Sequence, residues 1–298
     1  MKKTILTIFL IIFASGCTRG HVELRRYYWD ADETIVKDET TITVTRRWAN
    51  TEVVLNGPHR SFYPNGNLKV KNNYTNNKLD GVSKTYFRSG GLQAEEKYIN
   101  GLLDGRNVIF CENGSTKEIV NYSMGKMHGK LERYYKCTGR INEIGHYNNG
   151  LLLEKTTFFS TGKIKEEEKY ENGKLEGKSL SYYDNGNVQS EKHYSQGKYD
   201  GTIWSYYRDG ILKEEAPYTD GRLNGLQKKF YTDGKVRSIT PYTNGIKNGV
   251  KQKYNESGRL WLEETYTDDK LNGPTKRYGK SGRVIKVIHY KNGLAIEK

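Results

Sequence analysis

Past its first sixteen residues this chain has no apolar run that could cross a bilayer, which takes roughly 20 consecutive apolar residues as a helix. Nor does any later stretch show the spacing of apolar residues that marks an amphipathic helix, which excludes an α-helical domain. Methionine occurs three times against 24 tyrosines, with only 35% hydrophobic residues overall, a poor recipe for a conventional aliphatic core. What the chain has instead is tyrosine, glycine and lysine in a fixed order, the mark of internal repetition.

The N-terminus stands apart. Lys2 and Lys3 precede "TILTIFLIIFA", the charged start and short apolar stretch of an export signal. The stretch ends in "FASGC", where Ala14, Ser15, Gly16 and Cys17 resemble a bacterial lipoprotein processing box, with Ala14 in place of the usual leucine. The resemblance implies a signal peptide over residues 1–16 and lipid attachment at Cys17. Several acyl chains give stable membrane anchoring where one gives only marginal binding. It also implies a cell-envelope location; Thr18 replaces the aspartate associated with inner-membrane retention, which favours the outer membrane in a two-membrane bacterium.

Removing residues 1–16 takes away two lysines and no acid, so the formal charge falls from +14 to +12. Export removes nucleic acid from the expected partners and leaves anionic lipid head groups, cell-wall polymers or acidic proteins. The plainer reading of the same lysines is that they keep a strand-rich surface soluble and protect its edges.

On a 24-residue ruler, ten aromatic residues run from Phe62 and Tyr86 to Tyr254 and Tyr278. Twelve residues further on, a second position reads Tyr74, Tyr98, Tyr122, Tyr147, Tyr170, Tyr194, Tyr218, Tyr242, Tyr266 and Tyr290, with only Tyr147 displaced by one. Between the two rows lies a turn glycine (Gly66, Gly90 and their successors) preceded by Asn, Asp, Ser or Thr. That is hairpin-turn chemistry, since glycine reaches positive φ without steric cost. A second glycine follows each tyrosine by three residues, except where Asn77 and Asp269 stand. Both of those tolerate a left-handed conformation, so the position calls for positive φ. A third glycine opens the next strand, and the three sets use 27 of the 32 glycines, which leaves no set to cradle a phosphate.

Each repeat reads as a β-hairpin whose second strand alternates: Leu92, Ala94, Glu96 and Tyr98 on one face, Gln93, Glu95 and Lys97 on the other. A lone hairpin is marginal in water, so neighbours must supply the stability by stacking their tyrosines in ladders. The predicted fold is all-β, an elongated solenoid-like sheet of about ten stacked hairpins; at ~4.8 Å per strand it reaches on the order of 95 Å.

The phrase, as in "YYDNGNVQSEKHYSQGKYDG" and "FYPNGNLKVKNNYTNNKLDG", resembles the MORN-repeat variant of bacterial proteins, including those labelled YwqK-type antitoxins. The resemblance covers residues 57–298. It implies a noncatalytic scaffold that binds proteins or membrane surfaces; the antitoxin label brings no residue-level motif to carry over. Of the rest, residues 17–39 read as a tether and residues 40–56, with the alternating "TITVT", as an N-terminal cap on the first hairpin.

No enzyme is expected. The six histidines are scattered; His193 and His289 share a repeat position but lie four repeats apart, roughly 40 Å at ~4.8 Å per strand, too far to share a metal. No metal site and no cofactor are implied. Glu95, Glu167, Glu191, Glu215 and Glu263 recur three residues before the tyrosine. A recurrent carboxylate is expected to pair with neighbouring lysines on an exposed face, because an active site is singular. One repeat breaks rhythm around "KCTG", where an extra residue predicts a bulged or bent hairpin. Cys111 and Cys137 are a possible disulfide there; equivalent positions of successive hairpins lie about 10 Å apart, beyond a bridge unless the extra residue closes the gap.

The expected function is therefore that of an envelope lipoprotein acting as a repeat scaffold for an unknown protein partner or an anionic envelope component. The alternative is an antitoxin or immunity protein that neutralises a toxin by binding it.

Overall fold

The computed structural model describes residues 8–15, 18–30, 32, 34–47 and 50–296, with side chains from residue 20 onward except at 47 and 50. Cys17, the expected lipid site, lies outside the described residues. The described residues are strands and turns, with no helix among them. They fall into two compact units, residues 1–151 and 152–298.

Within each unit the strands follow one another as an antiparallel meander. In the repeat that begins at Gly81, strand Gly81–Tyr86 pairs with Leu92–Ile99, Gly81 facing Tyr98 and Lys84 facing Glu95. The same register recurs in the C-terminal unit, where Gly201 faces Tyr218 and Trp204 faces Glu215. Just after the first turn the second strand carries an extra residue, Gln93: Thr85 faces Ala94 while Tyr86 faces Leu92. This bulge, repeated at the same place in successive hairpins, gives the sheet its local kink.

The glycine-bearing turns are as the spacing predicts. Gly66 and its equivalents have positive φ. In the second turn both central residues are left-handed, for example Asn100 at 51° and Gly101 at 84°; Asn77 and Asp269 hold 65° and 64° where the glycine is missing. Two successive left-handed residues make the turn type whose twist suits an antiparallel pair.

Past that turn the structure adds an element that the repeat pattern alone does not indicate. Two residues, such as Leu102–Leu103, form a short strand against the end of the preceding one, with Leu103 facing Tyr98. Successive tyrosines are thus two strands apart, with a side chain of this short strand between them on the same face, leucine at Leu79, Leu103, Leu175, Leu223 and Leu271 and Met127 or Lys247 in two other repeats. Tyr199 takes the leucine's place once, and three rings run together: Tyr194 to Tyr199 at 5.0 Å and Tyr199 to Tyr218 at 5.2 Å between centroids.

The residues read as a tether are strands. Thr18–Tyr28 pairs along its length with Val36–Arg47, and the carboxylate of Asp30 accepts the backbone N–H groups of Thr34 and Ile35 in the connecting loop. The alternation in "HVELRRYY" is a strand signal that lies outside the 24-residue period. The cap boundary at residue 40 falls inside Val36–Arg47, which pairs with Asn50–Phe62, itself the first strand of the first repeat. Residues 8–15, within the expected signal, form a strand against Thr18–Tyr28. In a chain processed before Cys17 that strand is gone and Thr18–Tyr28 becomes the edge.

Few apolar side chains are buried. In the N-terminal unit Ile42, Val44, Val108, Cys111, Val120 and Leu131 are, and in the C-terminal unit Ala216 and Leu262. Repeat-to-repeat hydrogen bonds supplement this thin core. The N–H of the second-turn residue donates to a carbonyl of the preceding repeat in both units: Gly101 to Leu79 at 2.7 Å, Gly221 to Tyr199 at 2.8 Å, Gly245 to Leu223 at 2.7 Å.

Candidate functional site

The two faces of the sheet use the repeat differently. The Glu95 row lies on the face opposite the tyrosine ladder. Three of its members pair with lysine, Glu95 with Lys84 at 2.7 Å, Glu191 with Lys178 at 2.8 Å and Glu215 with Lys228 at 3.3 Å. The other two accept from a phenol of the next repeat instead, Glu167 from Tyr182 and Glu263 from Tyr278, both at 2.6 Å.

On the ladder face the tyrosine hydroxyls find carboxylates: Tyr98 donates to Glu96 at 3.2 Å and Tyr170 to Glu168 at 2.6 Å. Tyr74 meets the ring of His59 edge-on at 5.8 Å. Tyr122, Tyr218, Tyr242 and Tyr266 are each held above the usual phenol range by burial first and neighbouring carboxylates second. Tyr194 is pushed up by burial and by its bond to Tyr199. Tyr290 faces Gly273 in the last full hairpin. These tyrosines are structural members of every repeat and converge on no single point.

The phenols predict an alkaline limit. Tyr98 and Tyr182 are pushed up to about 12, by burial ahead of the carboxylates Glu96 and Glu167. Tyr278 reaches about 12 through its bond to Glu263 ahead of burial. A phenol whose folded value is raised stabilises the fold fully below its unfolded value of 10.0 and loses that contribution as pH climbs towards about 12. Tyrosinate absorbance of the folded chain is therefore expected to lag that of the urea-unfolded chain, and Tyr182→Phe and Tyr278→Phe should remove part of the lag. Coincident titrations of folded and unfolded chain would show the phenols to be solvated.

A second set of contacts escaped the sequence reading. Where a tyrosine follows the first-row aromatic it can reach the next repeat, as four do: the hydroxyls of Tyr63, Tyr183, Tyr207 and Tyr231 donate to the carbonyls of Tyr86, Tyr206, Phe230 and Tyr254, at 2.7–2.9 Å. Beside them the first turns join, Asn65 and Asn67 donating to the carbonyl of Arg88, and Asn185 and Asn187 to that of Arg208. Only the three-dimensional stacking of turns reveals that these polar residues face one another.

Cys111 occupies this stapling position. It is bonded to Cys137, with Cα atoms 5.8 Å apart. Cys137 stands in the next turn where Arg88 and Arg208 stand in theirs, its carbonyl accepting from Asn113 and Ser115. The extra residue widens this turn, which closes from Tyr135 N–H to Arg140 C=O, and puts Lys136 and Cys137 at positive φ. The 10 Å separation inferred from strand spacing fails here because the bridge runs between adjoining turns.

Among the described residues no three His, Cys, Asp or Glu side chains are grouped to hold a metal ion. His193 lies against the Thr202 carbonyl at 3.1 Å and the ring of Trp204, and His59 against Asp38 at 2.9 Å. What remains is surface. Lys69 lies over the ring of Tyr63 and Lys213 over that of Tyr207, each at 5.7 Å, so that aromatic and cationic groups alternate beside the first turns. Shallow clefts open on the ladder face, one of about 360 Å³ beside Tyr63, Lys69 and Ile109 in the N-terminal unit. In the C-terminal unit one of about 430 Å³ lies beside Phe159, Lys165 and Tyr183, and another of about 560 Å³ beside Tyr231, Lys251 and Trp261.

The family model of the MORN repeat variant matches residues 55–76, 79–100, 175–196, 199–220 and 223–244, so repeats of this kind stand in both units. No curated protein is significantly similar to the chain. Among solved structures, a porin-like protein from Bacteroides uniformis aligns over 85% of this chain and 90% of its own at 11% identity. Its TM-score of 0.15 is too low to carry an argument.

Proposed function

We propose that this chain, which carries repeats of the MORN variant, is a noncatalytic binding scaffold held in the bacterial cell envelope by lipid on Cys17. The observation that carries the reading is where the repeated side chains go. Turn glycines, ladder tyrosines and stapling hydroxyls are spent on holding one repeat to the next. What the repeats leave over is a surface of net positive charge, suited to a protein partner or an anionic envelope component. The Cys111–Cys137 bond suits an oxidising compartment outside the cytoplasm.

Affinity capture from envelope fractions with the mature chain is expected to recover one specific partner. Cys17→Ser should release the protein from membranes without altering that capture. Recovery of a cognate toxin, with rescue of cells that express it, would turn the reading to the antitoxin alternative. No partner, together with blank lipid and glycan arrays, would end the scaffold reading.

A further inference from the structure

The cleft of about 560 Å³ in the C-terminal unit differs from the other clefts in its charge. Lys229, Arg237, Lys251 and Lys253 line it, and no carboxylate does. Two acids reach these cations from the margin: Glu264 lies 3.2 Å from Lys253 and 3.8 Å from Lys251, and Glu214 lies 3.8 Å from Lys229. Four positive charges against two negative leave two uncompensated. The 430 Å³ cleft, by contrast, carries Glu166 among its lysines.

The register explains why the charges converge. Ser238 faces Lys229 on one neighbouring strand and Lys253 on the other, so a short hydroxyl side chain separates two lysines on one face. Thr240, on the same face, is 4% exposed and extends this low floor. Lys251 is held below the ordinary ammonium range, by burial first and by the charge of Lys253 second, with Lys247 and Lys229 adding to it. Like charges gathered over a small polar floor cost free energy that a bound anion would return.

An anion alone does not use the rest of the lining. Trp261 lies with its ring 6.0 Å from the Lys253 ammonium, and Tyr231 adds a second flat apolar surface. Hydroxyls on the floor, cations around them and aromatic faces beside them match a polyhydroxylated ring that bears a negative group. We propose that this cleft binds an acidic sugar, a single pyranose ring or a pair carrying a phosphate or carboxylate. The volume lies within the ordinary range for small-molecule sites, about 300–1,000 Å³. The inference names the chemistry of the anionic component in the scaffold reading and rests on that reading for the compartment alone. Binding by purified protein tests the cleft, and capture from envelope tests the scaffold, so the two fail separately.

The test is calorimetric titration of the purified mature chain with N-acetylglucosamine 1-phosphate, glucuronate, neutral N-acetylglucosamine, inorganic phosphate and adenosine monophosphate. The acidic sugars should saturate one site, with inorganic phosphate at least about tenfold weaker and the neutral sugar silent. Lys251→Gln and Trp261→Ala should each weaken binding about tenfold or more, while Lys178→Gln, on the opposite face, leaves it unchanged. A readout independent of variant folding is the side-chain nitrogen resonance of the Lys251 amine in the isotope-labelled, unsubstituted chain, whose titration should move upward when the sugar is bound. Absence of saturation by either acidic sugar would overturn the proposal, as would an unmoved Lys251 titration. Inorganic phosphate binding as tightly as the sugars would reduce the cleft to a simple anion trap. Tighter binding of the nucleotide would reassign it.

Discussion

Reduction of the Cys111–Cys137 bond is expected to destabilise the N-terminal unit by about 3–4 kcal/mol, the loop-closure value for a cross-link of this span. The two residues are 26 apart in sequence, and the bond joins the turn of one repeat to the turn of the next. Elsewhere that junction rests on a phenol donating to a carbonyl, as Tyr207 does to Phe230 at 2.8 Å. A hydrogen bond of this kind contributes about 0.5–1.5 kcal/mol, so Tyr207→Phe is expected to cost about 1 kcal/mol. The disulfide is the stronger version of one device, placed beside the turn whose extra residue disturbs the regular pairing.

Because repeat arrays open locally, the loss should be concentrated rather than spread over the chain. Hydrogen exchange on oxidised protein, reduced protein and Cys111→Ser should show faster opening over residues 105–148. Amides of residues 201–254 should remain unchanged on reduction and respond only to Tyr207→Phe. Uniform acceleration along the chain would show that the array unfolds as one block. Equal protection with and without reductant would show that the bond contributes nothing the turn hydrogen bonds do not already supply.

The contrast between the two staples also separates what the sequence discloses from what it hides. Period, hairpin and turn conformation were legible because they depend on glycine and on alternation, both local. Asn77 and Asp269 even predict the left-handed position through their own substitution for glycine, and they sit at φ 65° and 64°. The Tyr63 and Tyr207 staples were hidden because their acceptors are carbonyls 23 residues away, and any residue has a carbonyl. The charged cleft was hidden for a related reason. Lys229, Ser238 and Lys253 come together across three strands, and only their register reveals the convergence. The Glu95 row was read as lysine-paired, which holds for Glu95, Glu191 and Glu215; the phenols that serve Glu167 and Glu263 come from a neighbouring repeat. Strands outside the repeat, at Thr18–Tyr28, lacked the period that made the others visible.

Gly225→Ala is expected to be among the most damaging single substitutions in the C-terminal unit, at about 2–6 kcal/mol. Two costs add. Gly225 sits at φ +122°, where a side chain brings about 1–3 kcal/mol of backbone strain. Its added Cβ would lie 2.9 Å from Cγ of Pro217, a ring that cannot swing aside as a lysine tip can, and such overpacking costs about 1–3 kcal/mol more. Gly282→Ala isolates the first cost: φ is +79° and nothing lies within 4 Å of the added carbon, so about 1–2 kcal/mol is expected. Adding Pro217→Ala to Gly225→Ala removes the obstruction and leaves the strain, and should recover about 1–3 kcal/mol relative to the two single changes taken together. Urea unfolding of the four variants gives the cycle directly. If Gly225→Ala and Gly282→Ala cost the same, with no recovery in the double variant, the third glycine is kept for its conformation alone. A large difference with recovery means that the neighbouring strand's side chain packs into the space the glycine leaves. The same close approach recurs where a Cβ added at Gly249 would lie 2.9 Å from Pro241 and one added at Gly273 3.1 Å from Thr265. Strand spacing at the start of several hairpins would then be set by a missing Cβ, which ties the most repetitive letter of the sequence to the register that gathers the lysines.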